Sequence, residues 1–370
     1  MKGFFQGSAA MVGQARALYV LIRQKEGVTR QYLSERLKMP ATSLNRALER
    51  QLSLGLIEEY DLAISSGGRR PGLYRVAGQA YYLLGLDLSG PKKNLVLTDL
   101  TLQIAGRTIL PDSDETAAAD PSAVICEQCR LLPASCHVPF DRVIGLGIVR
   151  SGQASAAAAE TALAGVIGAE LNKPVFTLDG NDAALYAGLW QQRAQAEKPY
   201  FFLSIGDDIR FGQALQGQMQ AGDLSGRSIG RLLVPLSDKA GGHYLDQIAG
   251  IPALLRHYQR IKDDGNLTWG DFCQAIQENK KKAGLVLSEA ADAVGTAIQN
   301  IMLLAGGNTG DLLLAGPVIE DLPVYAETIR QHFNQTGKKA GLELDFITNP
   351  YGADLAVIGA AAYVLEQHLA

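Results

Sequence analysis

The sequence predicts an α/β protein made of a small helical head and a larger body of two lobes. Three observations predict it. Charge is divided unevenly: residues 1–76 hold 12 Lys and Arg against 6 Asp and Glu, whereas residues 77–370 hold 22 against 32. Residues 9–55 show helical periodicity, and two short strand-like runs follow them. From residue 82 onward, apolar β-type runs alternate with helical stretches, which is the pattern of α/β layers.

Composition sets the outer bounds. A chain of 370 residues with 47% hydrophobic and 19% charged side chains is neither disordered nor fibrous, and its length suggests two or three domains. Four cysteines are too few for a disulfide scaffold and suit a reducing compartment. No apolar run reaches the roughly 18 residues that a membrane span needs. Gln6, Gly7, Gln14 and Arg16 interrupt any signal-peptide core. A soluble cytoplasmic protein without a membrane partner is therefore expected.

The head is read element by element. Residues 9–25 carry Met11, Ala15, Leu18, Tyr19 and Ile22 at helical spacing, and Gly27 stops the helix. Thr29 is placed to cap a second short helix, QYLSERL. Pro40 suits the first turn of a third, over residues 41–55, with Leu44, Ala47, Leu48 and Leu52 inward and Gly55 as its stop. Leu56–Glu59 and Gly72–Val76 read as two strands around a Ser-Ser-Gly-Gly-Arg-Arg-Pro loop. Three helices and a two-stranded ribbon make the winged helix-turn-helix layout. A basic head would suit an anionic membrane as well as DNA, and the pattern favours DNA. The third helix would enter the major groove with Ala41, Thr42, Ser43, Asn45 and Arg46 toward the bases, where Arg can read guanine and Asn adenine. Arg69 and Arg70 on the flexible loop suit a narrow minor groove or phosphates. The stretch VTRQYLSERLKMPATSLNRALERQLSLGLIEE followed by SSGGRRPGLYRV resembles the head of ROK-family repressors, a segment that the family's kinase members generally lack.

The body reads as strand 82–87, strand 94–99, a helix near 119–132, strand 143–149, a helix near 155–170 and strand 175–178. Strand 201–205 and a hairpin at 213–218 follow, then helices near 245–262, 268–279 and 285–305, and strand 311–315. A last helix, 354–369, is expected to fold back on the first lobe. No internal sequence repeat is visible, and residues 77–81 read as a linker. The expected domains are 1–78, 79–198 with the helix 353–370, and 199–352. This order resembles the two-lobed actin-like (ribonuclease H-like) sugar-kinase fold of the ROK family.

The family's chemical motifs match poorly, and the departures carry the functional reading. The phosphate turn Asp-x-Gly-Gly-Thr becomes Asp87-Leu88-Ser89-Gly90-Pro91, where Pro91 removes a hydroxyl and an N–H. The second, Gly-rich turn becomes Gly206-Asp207-Asp208-Ile209-Arg210-Phe211-Gly212. Its two carboxylates would repel a triphosphate unless Mg²⁺ bridged them. An ungapped alignment puts Gly180 at the catalytic aspartate, while a gapped one would make Asp182 the base. Asp182 serves equally well as a helix cap or a ligand contact. The family zinc site retains no ligand: Arg231 stands for its His, and no Cys lies between residues 137 and 272. Cys126, Cys129, Cys136 and His137 are spaced as a knuckle but fall partly on a helix, so neither a metal nor another cofactor is expected.

The resemblance also supplies an effector set. Asp179, Asn181, Asp182, Ser228, Arg231 and Asp246 occupy or adjoin its sugar-contacting positions. It implies a transcription regulator, a repressor, whose dead kinase cleft senses a sugar-like molecule and whose head binds a double-stranded operator as a homodimer or dimer of dimers. A working sugar kinase and a constitutive DNA-binding protein whose body only oligomerises are the alternatives.

Overall fold

A computed structural model describes residues 3–6, 8–25, 27–60, 72–90, 92–111, 120–150, 154–191, 198–215, 218–219, 227–236, 239–305, 307–349 and 351–370. The chain forms two compact units: Met1–Gln195 with Asp354–Ala370, and Ala196–Ala353.

The first unit opens with helices α1 (Ala9–Gln24), α2 (Arg30–Leu37) and α3 (Ala41–Ser53). The Thr29 hydroxyl accepts from the Tyr32 N–H at 3.2 Å and starts α2. Leu44 and Leu48, four apart on α3, are fully inward. Strands β1 (Val28–Thr29), β2 (Ile57–Tyr60) and β3 (Leu73–Val76) form an antiparallel sheet in the order β1-β3-β2. The sequence announces two of these strands. β1 has only two residues, too few to show a period.

A five-stranded sheet follows: β4 (Tyr82–Asp87), β5 (Asn94–Asp99), β6 (Ile104–Ile109), β7 (Val143–Val149) and β8 (Val175–Leu178), in the order β6-β5-β4-β7-β8. β4, β5 and β6 are antiparallel, whereas β7 and β8 run parallel to β4. Helices α4 (Pro121–Ser135), α5 (Ala154–Leu171) and α6 (Gly180–Gln191) connect them, and the C-terminal helix (Leu355–Leu369) belongs to this unit. Pro133 does not end the helix that carries the first two cysteines. It sits in the last turn of α4, so Cys126 and Cys129 are buried core side chains of one helix. Burial raises the Cys126 thiol to about 11 and the Cys129 thiol to about 12.

The second unit repeats this topology without repeating the sequence. Strands β9 (Tyr200–Ile205), β10 (Ile209–Leu215) and β11 (Gln218–Met219) are antiparallel, and β12 (Arg227–Ser228) pairs with β10. β13 (Leu233–Leu236) and β14 (Lys239–Tyr244) form a separate hairpin. The helices are α7 (Ile251–Lys262), α8 (Trp269–Gln277), α9 (Lys281–Leu304), α10 (Pro317–Asp321) and α11 (Pro323–Gly337). β15 (Thr309–Ala315) and β16 (Glu343–Ile347) complete the order β11-β10-β9-β15-β16, with β9, β15 and β16 parallel. The helix expected at 245–262 is a 3₁₀ turn, Leu245–Gln247, and then α7, because Gly250 takes the N-cap.

Glycines place the C-terminal helix directly on backbone. A Cβ at Gly85 of β4 would lie 2.2 Å from the Val357 carbonyl oxygen, and one at Gly147 of β7 would lie 2.1 Å from that of Ala360. Gly359 in turn abuts the Ala183 carbonyl of α6 at 1.6 Å from an ideal Cβ. These contacts leave no room for a side chain. The same helix holds the head. Arg16 of α1 pairs with Glu366, and the Phe4 N–H donates to the His368 carbonyl at 2.8 Å. The Phe4 ring lies against Tyr81 and His368 at 5.3 and 5.2 Å. His368 Nε2 contacts the Ile144 carbonyl oxygen at 3.0 Å, which makes it the protonated nitrogen of a neutral ring.

Two outcomes are expected. Gly359→Val should destabilise the protein by roughly 1–3 kcal/mol or more through overpacking, read as a lowered thermal midpoint. Burial holds the His368 pKa below its ordinary value. The unfolded chain therefore takes up the proton first, and stability should fall as pH drops through the ordinary histidine range. Denaturant midpoints between about pH 7.5 and 5.5 should fall less steeply in His368→Gln.

Candidate functional site

The first candidate site lies on α3. Ala41, Thr42, Ser43, Asn45 and Arg46 are all exposed along the outer face of its first two turns, opposite buried Leu44 and Leu48. Pro40 is the N-cap and makes no side-chain cap, so the first-turn N–H groups point outward unclaimed by it. Packing within the head supports this placement from behind: the Gln51 amide, fully buried, donates to the Ala15 carbonyl at 2.8 Å and ties α3 to α1. Arg69 and Arg70 lie outside the described residues.

The second candidate set falls into two groups of three, one on each unit. In the first unit, β4, β7 and β8 run parallel and in register, with Asp87, Val149 and Leu178 side by side. Their carboxyl ends form a shared rim, the usual ligand position of an open α/β sheet. Asp179 closes β8 and is the N-cap of α6: its Oδ1 accepts from the Asn181 N–H at 2.9 Å and from Asn181 Nδ2 at 3.3 Å. The capping role that the sequence offered to Asp182 belongs to Asp179. Asp182 is in the first turn of α6, where the positive end of the helix favours its charge.

Arg150 is a member of this rim that the sequence did not signal. It follows β7, its N–H donates to the Leu178 carbonyl at 2.9 Å, and its Nε is buried without a hydrogen-bond partner among the described residues. A buried donor of this kind is costly unless a ligand meets it. A register argument placing the ends of β7 and β8 side by side would have found it. Asp87 is engaged locally, since its Oδ1 accepts from the Ser89 N–H at 2.8 Å and the Ser89 hydroxyl at 2.6 Å. Pro91 lies outside the described residues. A Cβ at Gly180 would make only ordinary contact, 3.6 Å from Val149, so the absence of a carboxylate there is not forced by packing.

In the second unit, a turn brings Ser228, Arg231 and Asp246 together. The Gly230 N–H donates to Ser228 Oγ at 3.3 Å, and the Asp246 N–H donates to the Gly230 carbonyl at 2.9 Å. A Cβ on Gly230 would lie 2.8 Å from that of Asp246, so this approach requires glycine. Asp246 Oδ1 is buried and accepts no hydrogen bond among the described residues. It is an open acceptor of the kind that a hydroxyl-bearing ligand satisfies. Gly206-Asp207-Asp208 is the three-residue loop of the β9–β10 hairpin. Asp208 does not stand alone there: its Oδ2 lies 2.7 Å from Arg210 Nε. Among the described residues no three His, Cys, Asp or Glu side chains converge as a metal site, and no helix is long and apolar enough to cross a membrane.

Comparisons with known proteins bear on this architecture. No curated protein sequence matches the chain significantly. Its fold is similar to that of a ROK-family transcriptional regulator homologous to the Escherichia coli MLC protein, with 19% identity, 97% of each chain covered and a TM-score of 0.69. It is also similar to the ROK hexokinase of Thermus thermophilus, with 19% identity, 76% of this chain and 97% of that one covered, and a TM-score of 0.59. A ROK glucokinase of Streptomyces griseus, bound to glucose and AMPPNP, shares 15% identity over 76% of this chain and 98% of its own, with a TM-score of 0.55. The family model described as ROK matches residues 84–367. That span takes in both α/β sheets and the C-terminal helix, and the chain belongs to the ROK family.

Proposed function

We propose that the chain is a ROK-family transcriptional repressor: a winged helix-turn-helix head binds operator DNA, and a body without catalytic activity senses a small sugar-like molecule. The observation that carries this reading is the head itself. Its third helix presents five small or hydrogen-bonding side chains outward on a basic domain, the layout of a recognition helix. The likeness to a regulator over 97% of the chain supports it, because the kinases compared leave about a quarter of the chain unmatched.

The body is read as a sensor for chemical reasons. Phosphoryl transfer needs a base at the acceptor hydroxyl and an unobstructed cradle for the phosphates. On an ungapped alignment Gly180 stands where the resemblance puts the kinases' catalytic aspartate, whereas a gapped one puts Asp182 there. Asp87 is turned toward Ser89, and Asp207 and Asp208 bring negative charge to the second turn. Binding groups remain: Asp179, Asn181, Asp182 and Arg150 on one unit, Ser228, Arg231 and Asp246 on the other. A ligand held by either set acts on DNA affinity only if it favours one arrangement of the protein over another.

The connection to the head runs through α6, whose first turn carries Asn181 and Asp182. Its last turn carries Trp190, over whose ring the Arg23 guanidinium of α1 lies at 3.7 Å while also donating to the Trp190 carbonyl. The protein acts as a homodimer or dimer of dimers, so that two heads read a pseudo-palindrome with half-sites about one helical turn or a multiple apart.

Mobility shifts on genomic fragments at two salt concentrations test the DNA reading. Arg46→Ala should lower discrimination between sequences by roughly 1–3 kcal/mol, while Arg70→Ala should weaken all sequences and reduce the salt slope by about one. Equal binding to every fragment, unaffected by Arg46→Ala, would sink it. Calorimetric titration with Mg-ATP beside a coupled ADP-release assay over hexoses and amino sugars tests the body. Neither micromolar affinity nor sugar-dependent turnover is expected, and their appearance would instead identify Asp182 as the base of a working kinase.

A further inference from the structure

Away from the residues just described, the second unit contains a cavity of about 370 Å³. His243 of β14, Gln247 of the 3₁₀ turn, Arg256, His257 and Arg260 of α7 and Glu289 of α9 line it. We propose that this cavity is a binding site for a phosphate-bearing small anion, separate from the proposed effector groups and independent of the DNA reading.

The charge arrangement points to an anion. Residues 196–353 carry 18 acidic against 14 basic side chains, so a concentration of cations here runs against the balance of the unit. Arg256 and Arg260 stand one helical turn apart, about 5–6 Å between Cβ atoms, where like charges repel. Both are exposed, and neither has an ion-pair or hydrogen-bond partner for its guanidinium among the described residues. The negative end of α7 accounts for Arg260 and Lys262 in its last turn. It does not account for Arg256, a turn earlier, nor for two imidazoles on the same cavity wall.

The single carboxylate of the lining is not paired with either arginine. Glu289 Oε2 lies 3.7 Å from His257 Nδ1, which leaves both guanidinium forks to the cavity. The lining thus offers two planar donor forks, the His243 imidazole and the Gln247 amide. Guanidinium forks match the oxygen spacing of phosphate bidentately, and a dianion relieves the repulsion between them. An apolar ligand would make no use of these donors, and a cationic one would be repelled by them. Ile248 and Ala253 supply only a small apolar floor, which suits a compact anion better than a large ring system.

The experiment is calorimetric titration of the full-length protein with inorganic phosphate and with pyrophosphate at fixed ionic strength. One saturable site per chain is expected, tighter for pyrophosphate. Arg256→Gln and Arg260→Gln should each weaken binding roughly tenfold, the worth of a lost charge-assisted hydrogen bond. Glu289→Gln should tighten it severalfold, an outcome that damage to the fold would not produce. Arg46→Ala/Arg70→Ala, in the head, should leave it unchanged. The proposal is overturned by the absence of saturation at about 20 mM of either anion, by affinities indifferent to Arg256 and Arg260, or by binding lost with the head arginines instead. Thermal midpoints of the variants, expected to stay within about 1 °C of the parent at these exposed positions, exclude misfolding as the cause of any loss.

Discussion

The first unit depends on a helix that rests on peptide groups instead of side chains. Along the C-terminal helix, Val357, Ile358, Ala360, Ala361, Ala362, Val364 and Leu365 are all but inaccessible, so apolar burial fixes it from several sides at once. Gly85 and Gly147 remove the layer of side chains that would hold it off β4 and β7, and Gly359 does the same against α6. Close packing of this kind responds to change as a unit, because interiors near crystal density have no slack to absorb a displaced turn. The head is fastened to this helix through Arg16, Glu366, Phe4 and His368. The head is thereby tied to the C-terminal helix by contacts within the same compact unit, and not by the linker at 77–81 alone.

Much of this was legible in the sequence, and the failures have physical causes. Long amphipathic helices and fully apolar strands declared themselves: α3 by Leu44 and Leu48, β4 by its unbroken apolar run, α5 and β8 by their bounds. The third strand of the head's sheet did not, because a two-residue strand has no period. β6 has an alternating, half-exposed pattern around Arg107 and passed unnoticed beside the stronger β5. α10 and α11 each begin at a proline, Pro317 and Pro323, which reads equally as a turn. The repeated strand order of the two units has no trace in the sequence, since topology is conserved by backbone pairing while side chains answer to different surroundings.

The candidate sites show the same division. Outward residues of α3 follow from helical periodicity alone, so all five of them were found. Asp179, Asn181 and Asp182 were found as a motif, yet only the structure assigns the cap to Asp179, because the start of a helix cannot be fixed to one residue from pattern. Arg150 escaped altogether. It follows an apolar strand and has no motif, and its place beside Asp179 arises from the pairing of β7 with β8, a relation between segments about thirty residues apart. Groups assembled by sheet register are invisible to any reading along the chain.

The fate of the phosphate turns follows from how such sites work. A phosphate cradle is built from backbone N–H groups brought close by small residues, so every added side chain removes both space and a donor. Ser89 occupies the turn and its hydroxyl and N–H both donate to Asp87, so the turn satisfies its own polar groups. Asp208 draws Arg210 onto itself in the same way. Local satisfaction of this sort stabilises the empty state, and a nucleotide would have to break it. A hydroxyl ligand at Asp246 or a donor-seeking ligand at Arg150 faces the opposite situation, since those buried groups are unmet beforehand and gain by being met. On the proposed function, these two turns are disposed against a nucleotide, and Asp246 and Arg150 favour a ligand rich in hydroxyls. α6 is the element on which that difference can reach the head, because its first turn holds Asn181 and Asp182 and its last turn holds the ring on which Arg23 rests.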